Sequence, residues 1–199
     1  VLCARNQADY DGILDTAFES AGIPYAFDKA VDLSTTPTAA LVFSAFDIYF
    51  SWSLEAVSAY IKSGLSGLCD EVADKLDLYL HTWNIHGKAY FHEEWHMNPA
   101  GMRAEAADTA LLALLSDAHD GLLSCLDAFS VSLDAAKTAS DMAHAVYELT
   151  VNIARLSGKD RFDDRADGEY LDLLCRALDT VALTLAEQTV TPRRFYELL

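Results

Sequence analysis

Residues 37–62, PTAALVFSAFDIYFSWSLEAVSAYIK, decide how the chain must fold. At about 100° per residue, Leu41, Val42, Phe46, Tyr49, Phe50, Trp52, Leu54, Val57 and Tyr60 spread over most of a helical circumference. A helix that is apolar nearly all round has to be wrapped by others, so this run is predicted to be the central helix of a bundle. Its start is well marked, because Ser34-Thr35-Thr36 offers hydroxyl caps and Pro37 suits the first turn. The segment 37–61 is also long enough to cross a bilayer, but Asp47 lies near its middle and Glu55 follows. An aspartate at a membrane centre costs about 2.5–3.5 kcal/mol, which favours a core helix.

Outward from this run, helical spacing predicts amphipathic helices over 7–22, 68–83, 102–128, 132–157 and 169–189, before a tail TPRRFYELL. No alternating strand pattern of useful length intervenes. The expected fold is therefore all-α, one domain over residues 1–199 built as a bundle of five to seven helices.

The chain has 199 residues, with 31 acidic against 14 basic and a formal charge of −17. Such a surface repels phosphate backbones and anionic headgroups, so neither nucleic acid nor a membrane is expected as a partner. Cys3, Cys69, Cys125 and Cys175 form no C-x-x-C pair, and the start, VLCARNQADYDG, has no apolar leader core. Reduced thiols and a cytoplasmic location are expected. Self-association into a homodimer is left open.

Chemistry is expected in residues 79–101, YLHTWNIHGKAYFHEEWHMNPAG, which hold four of the six histidines. On a helix, His92 and His96 (i,i+4) share a face, and so do Glu93 and His96 (i,i+3). If that helix ran unbroken through Gly87, His81 would join the same side; a new helix at Gly87 would remove it, and His86 points elsewhere in either case. Asp141 and His144 repeat the i,i+3 geometry further on, with Glu148 one turn beyond. His119, flanked by Asp117 and Asp120, is expected at the surface.

H-E-x-x-H resembles the zinc-peptidase motif, in which two histidines bind zinc and the glutamate activates water. Here no strand precedes it and Pro99 ends the helix soon after His96. The pairs Glu93/His96 and Asp141/His144, with Glu55 or Asp47 before them and Asp108 or Asp117 between, are similar to the layout of ferritin-like and haem-oxygenase-like metal oxidases. A mononuclear arrangement like that of DinB-type proteins would instead join His92 and His96 to a distant histidine. Asp163-Asp164-Arg165-Ala166-Asp167 resembles the D-D-x-x-D motif of terpene cyclases, although its glycine-flanked, polar setting reads as a helix-entry loop.

The function expected from these residues is a metal-dependent oxidoreductase acting on a small organic molecule. Its divalent metal is iron, with manganese or zinc as substitutes. The expected ligands are Glu93, His96, Asp141, His144, His92, Glu148 and Glu55, and the expected catalytic residues are His92 and Glu93. Trp83, Trp95, Tyr90, Phe91, Phe50 and Trp52 are expected to wall the substrate pocket. The alternative is a non-catalytic helical module that binds a small molecule or a protein, its histidines structural.

Overall fold

A computed structural model of the chain describes residues 5, 10, 12–24, 33–102, 108–157, 165–186 and 188–199. Among them it has the expected all-α class, with nine α-helices and no strand. The chain divides into two units, Val1–Asp32 and Leu33–Leu199. The first contains α1 (Ile13–Ser20), closed by an Ile23 N–H to Phe18 carbonyl bond of 2.9 Å. The second is the bundle.

The central apolar run is two helices, where the sequence predicts one. α2 (Pro37–Ser51) starts as expected, with Thr36 Oγ1 accepting the Ala39 N–H at 3.2 Å. It stops because Trp52 turns into positive φ (φ 21°, ψ 41°), and after the single cap residue Ser53 α3 (Leu54–Ile61) begins. Two hydrogen bonds are exchanged at the break. In a straight helix the Trp52 carbonyl would accept from the Ala56 N–H. Here the Ser53 hydroxyl accepts from Ala56 at 3.2 Å, while the Trp52 carbonyl accepts from Gly87 at 2.8 Å. The kink seats the Trp52 ring, 5% exposed, against Phe91 and His92, with centroids 5.5 and 5.2 Å away.

The remaining helices are α4 (Asp70–Trp83), α5 (Lys88–Phe91), α6 (Thr109–Ala135), α7 (Ala139–Ser157), α8 (Arg165–Leu185) and α9 (Pro192–Tyr196). α2 packs on α3, α6 and α8, α6 lies against α4 and α7, and α7 also meets α8 and α9. The predicted 102–128 helix is shifted. Asp108 caps α6 by accepting the Leu111 N–H at 2.9 Å, and Phe129 and Leu133 continue its buried stripe to Ala135. α6 is long and apolar enough to cross a membrane by length and composition; here that stripe faces the bundle. Cys69, Cys125 and Cys175 are free thiols. Asp163 and Asp164 lie outside the described residues, and Arg165 opens α8.

The tail is structured. Thr191 accepts the Arg194 N–H at 3.3 Å and Pro192 opens α9, which buries Phe195 completely. Phe195 lies 6.2 Å from Phe46, and Tyr196 meets the edges of Phe43, Phe46 and Phe50. An antiparallel bridge between Thr138 and Thr189 fastens the approach to α9 onto the α6–α7 connection. Phe195→Ala should therefore cost about 3–5 kcal/mol of unfolding free energy in a denaturant titration. A loss under about 1 kcal/mol would mean that α9 is not part of the core.

Candidate functional site

The histidine-rich segment is a strap, and the expected helix through His92–His96 does not form. α4 ends at Asn84 in the left-handed region (φ 49°), with the Ile85 N–H donating to the Leu80 carbonyl at 3.0 Å. Gly87 (φ 85°) opens the single turn of α5, and regular structure stops at Phe91. In a continuing helix the carbonyls of Tyr90 and Phe91 would accept from the N–H groups of Glu94 and Trp95. Side chains take them instead: Trp95 Nε1 donates to the Tyr90 carbonyl at 3.2 Å, and His119 Nε2 lies 2.6 Å from that of Phe91. From α4, Tyr79 Oη donates to the Met97 carbonyl and Trp83 Nε1 to that of Asn98, both at 3.2 Å.

These donors are embedded in rings. Trp95, 6% exposed, stacks on Tyr79 (5.3 Å, 29°) and lies 3.9 Å from the His119 imidazole. His119 is 7% exposed, against the surface position its aspartate neighbours suggest. An imidazole that anchors a buried carbonyl has more to gain inside than in water.

His92 also ties the strap to α6, with Nδ1 2.7 Å from the Lys88 carbonyl and Nε2 3.1 Å from Asp127 Oδ1. His96 is exposed, its Nε2 3.6 Å from Glu94. His81 faces Asp77 on its own helix at 3.5 Å, and His86 Nδ1 meets the Asn84 carbonyl at 2.7 Å. The break at Gly87 thus realises the reading in which His81 leaves the group.

Asp141 caps a helix. Its carboxylate accepts the backbone N–H groups of Lys137 and Thr138 at 3.0 Å each, and Thr138 Oγ1 accepts the Asp141 N–H at 3.1 Å. This reciprocal box starts α7, and those backbone bonds hold the carboxyl below its ordinary pKa. His144 is exposed and 3.9 Å from Glu148, and Glu55 lies exposed in the first turn of α3. Among the described residues, no three or more histidine, cysteine, aspartate or glutamate side chains gather in a way that could hold a metal ion. The helical geometry in which Glu93 pairs with His96, and His92 with His96, is absent, because α5 ends at Phe91.

The expected pocket divides. Trp83, Tyr90 and Trp95 line an open cavity of about 430 Å³ together with His86, Glu93 and Glu94. Phe91 and Trp52 are 3% and 5% exposed and belong to the core, and Phe50 packs beside Tyr196 beneath the Arg193 guanidinium. His92, His96, His119 and Asp120 border a second cavity of about 400 Å³, which shares Glu93, Glu94 and Trp95 with the first.

A polar centre built on Asp77 lies on the buried side of α4. Asp77, 8% exposed, accepts from the Ser58 hydroxyl and from Lys62 Nζ at 2.6 Å, joining α4 to α3 and the residue that ends it. Burial alone would raise its pKa, but the Lys62 and Ser58 bonds outweigh burial and hold the carboxyl below its ordinary value. The sequence signal was slight: one acid inside an apolar stripe.

No family model matches the chain. Among curated proteins, a subunit of the ATP-dependent helicase/deoxyribonuclease of Acetivibrio thermocellus is 31% identical over 148 residues, covering 72% of this chain and 13% of the relative. The corresponding protein of Clostridium novyi is 29% identical over 153 residues, covering 76% and 13%. That of Caldanaerobacter subterraneus is 20% identical over the whole of this chain and 18% of its own. The chain thus spans a small part of the relatives it matches.

These relatives overturn the expectation of an iron-dependent oxidoreductase with a small-molecule substrate, and with it the exclusion of nucleic acid. The physical error lay in scale. A charge of −17 over 199 residues says how this surface meets phosphate, and says little about a protein of which such a segment is a small fraction.

The strap predicts unequal histidines. His119→Ala should lower stability by about 1–3 kcal/mol, since it strands the Phe91 carbonyl, and should change Trp95 emission. His96→Ala, at an exposed site, should stay within about 0.5 kcal/mol of wild type; equal effects would rule out the strap. Asp77 makes a prediction in pH. Its depressed pKa contributes stability that is fully present above the ordinary value of 3.8 and is lost as the pH falls through the folded value. Asp77→Asn should be less stable than wild type near neutrality, and that gap should close in acid. A gap independent of pH in denaturant titrations would show that the charge is not what holds α3 to α4.

Proposed function

We propose that this chain is a helical module of a DNA-processing protein of the helicase/deoxyribonuclease type, acting through the contacts it makes. The observation that carries this reading is the match to one component of such a complex over 72% of the chain at 31% identity. Contact as its mode of action is supported by the sequence itself. A P-loop motor cradles phosphate in G-x-x-x-x-G-K-[ST] between a strand and a helix, and these 199 residues contain no such motif. ATP hydrolysis is then assigned to the remaining length of the protein, while the bundle supplies a rigid body with a buried core. Work on DNA in a bacterial cell is work in the cytoplasm.

A chimera tests the proposal. The matching segment of the Acetivibrio thermocellus relative is replaced by this chain, and the helicase/deoxyribonuclease is reassembled around it. ATP-dependent unwinding and degradation of linear duplex DNA should persist within about tenfold of the parent. A chimera that folds and assembles but processes no DNA would refute the assignment.

A further inference from the structure

Two carboxylates stand at an aromatic cavity for which the described residues supply no cation. The cavity of about 430 Å³ beside the end of α4 is lined by Trp83, Tyr90, Trp95, His86, Glu93 and Glu94, among others, and by no lysine or arginine. Glu93 makes no ion pair among the described residues, and the contact of Glu94 is with His96 at 3.6 Å, its side chain 90% exposed. We propose that this cavity is a docking site for an arginine side chain presented by a protein segment.

The walls favour a cation over an anion. Both indole N–H groups are already spent on the strap, Trp83 on the Asn98 carbonyl and Trp95 on that of Tyr90. What remains for an occupant is the exposed Tyr90 ring, the Glu93 and Glu94 carboxylates and the Asn84 carboxamide. Tyr90 is 59% exposed, with its ring 6.3 Å from that of His86. His86 Nδ1 faces the Asn84 carbonyl, which can only accept, so the neutral ring keeps Nε2 as a further acceptor.

Arginine answers this surface better than lysine does. Its guanidinium is planar, weakly hydrated, able to stack on aromatic rings and able to bond a carboxylate through two N–H groups at once. A nucleobase could also stack on Tyr90, but its phosphates would have to approach Glu93 and Glu94. That the occupant is polypeptide rests on the proposed function in one respect: this chain matches 13% of the length of the Acetivibrio thermocellus relative, so other protein surrounds such a module.

The test is an NMR titration of the 199-residue chain, following the indole Nε1–H signals of Trp83 and Trp95. The probes are acetyl-Gly-Arg-Gly-amide, the same peptide with citrulline, and a short oligothymidylate. The arginine peptide should shift both signals saturably, and the neutral isostere should bind about tenfold more weakly. Glu93→Gln with Glu94→Gln should weaken the arginine peptide by a similar factor while leaving the free spectrum in place, because both side chains are exposed. Tyr90→Leu should weaken it without removing its salt dependence.

The inference fails if citrulline binds as well as arginine, if the double variant binds as tightly as wild type, if the arginine peptide gives no saturable shift, or if oligothymidylate moves these signals more than the peptide. The readout is independent of DNA processing. A failed titration beside an active chimera would remove the cleft and leave the module's assignment standing.

Discussion

The architecture around the candidate site depends on which donors satisfy a few carbonyls. The Phe91 carbonyl faces His119 of α6 at 2.6 Å, and the Tyr90 carbonyl accepts from the Trp95 indole. A buried carbonyl left without a donor costs about 1–3 kcal/mol, so whichever donors reach these oxygens decide the path of the backbone. With side chains in that role, the helix ends at Phe91 and residues 92–98 run as a strap over α4 and α6. The same exchange operates at Trp52, whose carbonyl accepts from Gly87 while Ser53 serves Ala56. The two sites are coupled, because the Trp52 carbonyl holds the glycine from which α5 starts.

This coupling explains what was legible in the sequence. The apolar run 37–62 announced a buried central element, and Thr36-Pro37 announced its start, since both signals are local. Its interior break was written locally too. Ser53-Leu54-Glu55 is an N-cap followed by an acid in the first turn, but it sits inside a run so apolar that periodicity alone reads straight through it. α9 was missed for a related reason: TPRRFYELL is too short and too polar for a hydrophobic repeat, although its Thr-Pro start is the same signal that marks α2.

The strap could not be read from spacing at all. Its carbonyls are satisfied by Tyr79 and His119, 18 and 28 residues away in sequence, and H-E-x-x-H has its metal-binding geometry on a helix. A motif match assumes the secondary structure that gives its spacing a meaning. Here Tyr79, Trp83, Trp95 and His119 override the helical reading of His92–His96. The histidines of the segment proved to be distributed among separate tasks: His92 reaches across to α6, His81 faces Asp77 on α4, and His86 and His96 meet near neighbours in the chain. Asp141 shows the same lesson from the other side, since the i,i+3 pair it forms with His144 is the ordinary consequence of an aspartate placed to cap α7.

Acidity has to be weighed at the right distance. At physiological salt the Debye length is about 8 Å, so most of the excess negative charge on this chain is unfelt by a phosphate backbone one helix diameter away. What the charge does control is contact at short range. A module with 31 acidic and 14 basic residues carries an excess of carboxylates able to pair with basic groups at such distances. Glu93 and Glu94 bring that general bias to one place, because the strap that forbids a helix also leaves them exposed at the mouth of an aromatic cavity. The interactions that remove the metal geometry from the histidine segment are thus the ones that give the same segment a surface for a cation.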